Sequence, residues 1–201
     1  MKTGLILKLC AVAALSVLVL SVVRGAGYLF LVALAVLIHE LGHIAAARLL
    51  HVPLVKGKGS LIGFSLKFDF SASSYFKEFT VCAAGAVFNL AACLLAFLIF
   101  KDRGPYFVFF IFSDLSLALF NLLPISPLDG SGMLRSLLCL VTKNSTAERV
   151  SNVTSALFSL AFFTFCVYVQ MKIGVNFSLM FISVYLLYNA AKNVGVIQKA
   201  P

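Results

Sequence analysis

Long apolar segments alternate with short polar ones along this 201-residue chain. Six of the segments are close to the roughly 20 apolar residues that a helix needs to cross about 30 Å of hydrocarbon. The predicted spans are Leu5–Val23, Tyr28–Leu50, Phe79–Phe100, Tyr106–Leu123, Val153–Met171 and Val175–Ala191. The pattern therefore predicts an all-α polytopic membrane protein with about six transmembrane helices, formed as one domain over residues 1–201.

The first apolar segment has a second interpretation, because Lys2 and Lys8 precede its apolar core as they would in a signal peptide. That core is long for a signal peptide, Arg24 follows it, and no small-residue cleavage site is present. We therefore expect a retained helix.

The polar stretch between the second and third predicted spans contains a different period. In "GSLIGFSLKFDFS" every second residue is large and apolar: Ile62, Phe64, Leu66, Phe68 and Phe70. Alternation of this kind predicts a β-strand, and Val52–Val55 is a candidate partner strand. We expect a small interfacial β-hairpin. Two interpretations of this hairpin are equally favoured by the sequence. It could only lie on the membrane surface, or it could have a functional role.

The composition agrees with a membrane protein: 62% of the residues are hydrophobic, only 11% are charged, and the mean hydropathy is +1.06. A soluble domain of this length has too little interior to bury that much apolar surface. The formal net charge is +9, but no dense basic patch is interleaved with exposed aromatic residues. We therefore exclude nucleic acid as a partner.

The basic residues are distributed unevenly between the two membrane faces that six spans would define. One face receives only Arg24, Lys101, Arg103 and Lys172, and the other receives the remaining lysines and arginines. Because basic residues accumulate in cytoplasmic loops, both termini should be cytoplasmic.

The second span carries ionisable residues at its centre, in "AVLIHELGHIAAARLL". His39 and His43 lie one helical turn apart on one face, so their imidazoles can bind one Zn²⁺. Glu40 is close enough to reach a water on that metal, and H-E-x-x-H is the pattern in which this glutamate is the general base. Ionisable groups at membrane depth are costly, so a metal site is favoured over a polar packing cluster.

A catalytic zinc site needs a third protein ligand, and "LFNLLPISPLDGSGML" offers one. The fourth span ends near Asn121, Pro124 and Pro127 break the helix, and the carboxylate of Asp129 follows, with a new helical stretch expected from Met133. In the predicted topology Asp129 reaches the same leaflet as the two histidines, as a shared ion requires.

Asp114 lies in the middle of the fourth span, seven residues before Asn121 and on nearly the same helix face. The favoured interpretation is a protonated carboxyl group that is hydrogen-bonded to a neighbouring helix. A catalytic role in the cavity is the alternative.

The HELGH motif together with "NLLPISPLDG" resembles the site-2 protease family of intramembrane zinc metallopeptidases, over roughly Tyr28 to Gly132. Within that family the short length, six-span layout and N-x-x-P-x-x-P-L-D-G motif are most similar to the stage IV sporulation proteases of endospore-forming bacteria. Those enzymes release a membrane-tethered sigma-factor precursor. The resemblance implies regulated intramembrane proteolysis in a bacterial cell membrane or in the membrane that surrounds a forespore.

The resemblance also implies roles for individual residues. His39, His43 and Asp129 would hold one Zn²⁺ per chain, and Glu40 would be the catalytic base. Asn121 matches the motif asparagine, which implies substrate positioning or support of the site.

The implied partners are a membrane-embedded or membrane-tethered protein substrate, the lipid bilayer and a membrane inhibitor protein. Asn89, in "AGAVFNL", matches a second family asparagine and would also position substrate. A helical substrate must unwind before its peptide bond can be cleaved. The predicted strand, with Ile62, Phe64 and Leu66, could then pair with the extended substrate chain.

Two other functions remain open. A catalytically silent relative could bind membrane partners, although the intact Glu40 argues against it. A metal or proton transporter could use His39, Glu40 and His43 as a relay, but transport needs no base beside a closed set of three ligands.

Overall fold

The computed structural model describes residues 25–55, 67–70, 73–174 and 177–195. This part of the chain contains the helices α1 (Ala26–Leu49), α2 (Tyr75–Ile99), α3 (Pro105–Asn121), α4 (Asp129–Val141), α5 (Asn144–Ile173) and α6 (Phe177–Asn193). The predicted first span, Leu5–Val23, lies outside the described residues. Each of the other five predicted spans overlaps one of these helices, and residues 175 and 176 of the last span also lie outside the described residues.

Three of the described helices are long and apolar enough to cross a membrane: α1, α2 and α5. α3 is a shorter apolar helix. Large apolar side chains remain exposed along them, including Phe97, Phe112 and Phe165, as is expected where the surrounding solvent is lipid. These features indicate an integral membrane protein, and the count of six spans stays a prediction.

Helix α2 is central to the bundle, because it packs against α1, α3 and α4. α1 also contacts α3, and α5 contacts α4 and α6. Small side chains fill much of the interior, among them Ala35 on α1, Ala84 on α2 and Ala118 on α3. Small residues let helix backbones approach closely, which is the main source of helix association in a membrane. The side chains of α1 and α2 therefore meet at short range.

Two helices begin earlier than the apolar pattern predicts. α2 starts at Tyr75 instead of Phe79, where the side chain of Ser74 caps the helix by accepting a hydrogen bond from the Lys77 N–H at 3.4 Å. α5 starts at Asn144 instead of Val153. The first turn of α2 contains the charged residues Lys77 and Glu78, and the first turns of α5 are mostly polar, so hydropathy detects only the apolar continuation of each helix.

Two short strands follow α1: β1 (Leu54–Val55) and β2 (Lys67–Phe68). They pair antiparallel, with Leu54 opposite Phe68. The residues that join them, 56–66, lie outside the described residues, and these include the predicted site residues Ile62, Phe64 and Leu66. The hairpin connection therefore stays a prediction.

The segment between α3 and α4 is irregular, as its two prolines predict, and it contains a cis peptide bond at Ser126–Pro127. The segment is nevertheless packed: Ile125 is fully buried, and the Ser126 N–H donates to Ser155 Oγ of α5 at 2.8 Å. α4 begins at Asp129, one turn before the predicted Met133. Gly130 permits this start, because a Cβ there would lie 2.2 Å from the Leu122 carbonyl oxygen.

Candidate metal centre

Three side chains that are far apart in the sequence converge where α1 meets the start of α4. His39 Nε2 lies 2.9 Å from Asp129 Oδ2, His43 Nε2 lies 3.1 Å from the same oxygen, and the two Nε2 atoms are 3.2 Å apart. Ligand atoms bound at about 2.0–2.1 Å to a tetrahedral zinc lie roughly 3.4 Å from one another. The triangle is therefore slightly tighter than a zinc site, and small outward shifts of the side chains would accommodate the ion.

The hydrogen bonds behind the histidines test whether these groups suit a metal. His39 Nδ1 donates to Asn89 Oδ1 at 3.1 Å, and His43 Nδ1 donates to the Val81 carbonyl at 2.7 Å. Neutral imidazoles with a proton on Nδ1 have a lone pair on Nε2. Two Nε2 lone pairs and a carboxylate oxygen thus face one another. Three such acceptors repel unless a cation lies among them, so the donor set fits Zn²⁺.

Asp129 is the first residue of α4, and its side chain is partly buried. An ionised carboxylate is the form that binds a metal.

Glu40 faces the same space without being part of the triangle. It is half-buried on α1 and lines a cavity of about 370 Å³ together with the three candidate ligands. The other lining residues are Val36, Phe68, Phe70, Val81, Cys82, Leu117, Asn121 and Pro127. The cavity thus brings the Glu40 carboxylate, the three candidate metal ligands and the end of β2 to one place.

The other residues singled out from the sequence have different positions. Asn121 lines the cavity, and its Nδ2 donates to the Leu117 carbonyl at 3.0 Å. Asn89 is fully buried behind His39 and is not among the lining residues. Asp114 is also fully buried, and its Oδ1 accepts from Asn89 Nδ2 of the neighbouring helix at 2.7 Å. The predicted hydrogen bond from Asp114 to a neighbouring helix is therefore present, and the protonation of its carboxyl group stays a prediction.

An ion pair between α4 and α2 was not anticipated from the sequence. Arg135 Nη2 donates to Glu78 Oε1, and Glu78 is buried at 5% exposure near the start of α2. Burial alone would lower the pKa of Arg135, but the Glu78 carboxylate raises it above its ordinary value. Because Arg135 lies on the same helix as Asp129, this pair holds α4 against the helix whose Val81 carbonyl orients His43.

Val81 and Gly85, which both contact the candidate ligands, were also not identified from the sequence. The backbone carbonyl of Val81 carries no signal in its side chain, so only the packed structure identifies it. Gly85 has a weak signal: it precedes Asn89 by four residues, which places both on one face of α2.

Comparisons with known proteins agree with this geometry. The model of "Peptidase family M50" matches residues 101–166, which hold α3, the irregular segment and Asp129. No curated protein matches the chain. The solved site-2 protease from Methanocaldococcus jannaschii superposes with a TM-score of 0.64 at 18% sequence identity, over 96% of this chain and 91% of that one. The chain therefore has the fold of a site-2 protease, and the segment that is similar to peptidase family M50 contains the third candidate metal ligand.

Proposed function

We propose that this protein is a zinc-dependent intramembrane endopeptidase that cleaves a membrane-embedded or membrane-tethered protein near the cytoplasmic face. One observation carries the proposal: two imidazole Nε2 atoms and one carboxylate oxygen converge within 3.2 Å, beside the carboxylate of Glu40 in a shared cavity. Three protein ligands with space for a further one are the arrangement of catalytic zinc sites. The site-2 protease fold and the peptidase family M50 segment support the same activity.

His39, His43 and Asp129 would hold the ion, and the cavity beside them would admit the scissile peptide. Zinc supplies a Lewis acid that polarises a carbonyl group and makes water more acidic. Glu40 then acts as general base: it takes a proton from the attacking water and delivers it to the leaving amine nitrogen. Asn121 lies on the cavity wall, where its side chain can contact the substrate backbone.

The short sheet supplies a route for binding an extended substrate. The Asp69 N–H donates to the Pro53 carbonyl at 3.0 Å, which makes 53 and 69 a hydrogen-bonded pair. Hydrogen-bonded and non-hydrogen-bonded pairs alternate in an antiparallel ladder, so the main-chain groups of Phe68, opposite Leu54, point away from β1. The Phe68 side chain lines the cavity. We propose that an unwound substrate segment pairs with this outer edge of β2.

The substrate class follows from the motif resemblance and the proposed topology. A sigma-factor precursor tethered to the membrane is the candidate we propose, cleaved at the cytoplasmic face of a bacterial cell membrane or a membrane around a forespore. Both chain termini would lie in the cytoplasm, and a membrane inhibitor protein would be a regulatory partner.

Co-expression with epitope-tagged single-span and membrane-associated proteins tests the proposal. The expected result is a cleaved product that appears with the wild-type protein and is absent with His43→Ala. Zinc uptake into vesicles without cleavage of any tested protein would favour the transporter. Stable complexes with intact membrane proteins would favour a silent binding protein.

A further inference from the structure

A chain of buried polar groups connects His39 to the interior of the bundle, on the side away from the cavity. His39 Nδ1 contacts Asn89 Oδ1 at 3.1 Å, and Asn89 Nδ2 contacts Asp114 Oδ1 at 2.7 Å. Cys93 Sγ donates to the second carboxylate oxygen, Asp114 Oδ2, at 3.3 Å. Asn89 and Asp114 are both 0% exposed. The chain thus runs through three helices, from α1 across α2 to α3.

The neighbours of Asn89 determine which end of its amide faces His39. Asn89 Nδ2 has three acceptors: Asp114 Oδ1 at 2.7 Å, the Ala35 carbonyl oxygen at 3.3 Å and the Asp114 carbonyl oxygen at 3.5 Å. A flipped amide would place its oxygen against all three and its NH₂ group against His39. These acceptors, with the Asp114 carboxyl oxygen as the nearest, hold the amide with Oδ1 toward His39. That oxygen can only accept, so the His39 proton lies on Nδ1.

This arrangement matters because only one tautomer of His39 can bind a metal through Nε2. A proton on Nδ1 leaves the Nε2 lone pair directed at the site that His43 and Asp129 share. His43 obtains the same tautomer from a backbone carbonyl, that of Val81. Among the described residues, the partner of His39 Nδ1 is the side-chain amide of Asn89, whose orientation requires acceptors of its own.

Asn89 and Asp114 are not among the residues that line the cavity, so direct contact with substrate does not explain them. Buried polar groups in membrane helices are costly and are usually retained for function. We infer that Asn89 and Asp114 are positioning residues that together fix the tautomer and ring orientation of His39 for metal binding. This inference rests on the metal centre proposed above and assigns a role to two residues outside it.

The test is the zinc affinity of the purified full-length protein, measured by competition with a chromophoric chelator. Asn89→Ala removes the acceptor for His39, and Asp114→Leu removes the group that orients the amide. Each should weaken zinc binding about 10- to 100-fold, the usual cost of losing a hydrogen bond behind a metal-ligating histidine. Cobalt-substituted protein should show altered visible absorption in the same variants, which reports ligand geometry independently of activity.

A conservative variant separates positioning from packing. Asp114→Asn keeps an acceptor oxygen for Asn89 and should bind zinc within about 3-fold of the wild type, well inside the loss expected for the disruptive variants. Ser159→Ala on α5 is the matched control, since it removes a buried hydroxyl group that donates to its own helix at 3.0 Å.

The outcomes distinguish this inference from the proposed function. If the wild type binds no zinc, the proposed metal centre is wrong and the inference with it. If the wild type binds zinc and Asn89→Ala and Asp114→Leu bind it equally well, the inference alone is wrong. It is also wrong if Asp114→Asn is as weak as Asp114→Leu, or if every loss of affinity matches a fall in the melting temperature of the metal-free protein.

Discussion

Gly85 of α2 lies directly against Nε2 of His43, a candidate metal ligand. A Cβ atom at position 85 would be 2.5 Å from His43 Nε2, and 2.8 Å from Nε2 of the neighbouring histidine, His39. Real Cβ atoms do not approach other atoms so closely, so the absence of a side chain at this position is a condition for the two imidazoles to meet. The glycine thereby links helix packing to the chemistry of the site.

Gly85→Ala should therefore displace the histidines and weaken zinc binding by about 10-fold or more, comparable to loss of a supporting hydrogen bond. Gly104→Ala is the control, because a Cβ there meets nothing within 4 Å and the residue has an ordinary φ of −60°. The zinc content per chain after dialysis is measured for both variants. Full zinc occupancy in Gly85→Ala would show that the ligands can move aside without loss.

The three candidate ligands, His39, His43 and Asp129, lead to a prediction about zinc content. Purified wild-type protein should hold about one Zn²⁺ per chain, and His39→Ala, His43→Ala and Asp129→Ala should each lose most of it, because two ligands seldom retain zinc. His51→Asn is the control, since His51 is exposed and outside the cavity. Metal analysis of each purified variant gives its zinc content per chain. If Asp129→Ala kept its full zinc content, Asp129 would not be a ligand.

The outer edge of β2 can be tested with proline, which lacks an N–H. Phe68→Pro should lower cleavage far more than Phe68→Ala, because only the proline removes the main-chain donor that points away from β1. Zinc content should stay at the wild-type level in both, since the candidate ligands lie on α1 and α4. Equal cleavage by the two variants would rule out backbone pairing at this residue, and zinc loss in Phe68→Pro would indicate a structural brace instead.

The ion pair between α4 and α2 should contribute to stability. Arg135→Ala leaves the buried Glu78 carboxylate without its partner, which should cost about 1–3 kcal/mol in the free energy of unfolding. Unfolding in a denaturing detergent titration measures the change, with Arg149→Ala as the control because Arg149 is exposed on α5. An unchanged unfolding midpoint would mean that water or lipid headgroups replace the arginine.

The local part of the site could be predicted from the sequence, because it depends on spacing along one helix. His39, Glu40 and His43 lie within five residues, and helical geometry alone places the two imidazoles together. The irregular segment was predictable as well, since Pro124 and Pro127 cannot continue α3. Asp129 was proposed from that break and from the family resemblance, and the structure brings it to the histidines from 90 residues away.

Contacts between different helices could not be predicted in the same way. The relations of Asn89 to His39 and of Arg135 to Glu78 depend on how far each helix is rotated and shifted against its neighbour. Hydrophobic periodicity carries little information about that rotation, because lipid-facing and helix-facing positions are both apolar. For the same reason Asn89 was assigned to substrate positioning on the motif alone, whereas the structure places it behind a candidate ligand.

The central claim is that this chain hydrolyses peptide bonds with Glu40 as the base, and one substitution tests it most directly. Glu40→Gln preserves shape and removes the proton acceptor, so the purified variant should retain the zinc content of the wild type. Its cleavage of a substrate that the wild type processes should fall about 10²- to 10⁴-fold. The zinc content and the single-turnover cleavage rate of the variant are measured on the same preparation and compared with those of the wild type. Full zinc with cleavage reduced to that extent is the predicted result, and full zinc with near-normal cleavage would contradict the account.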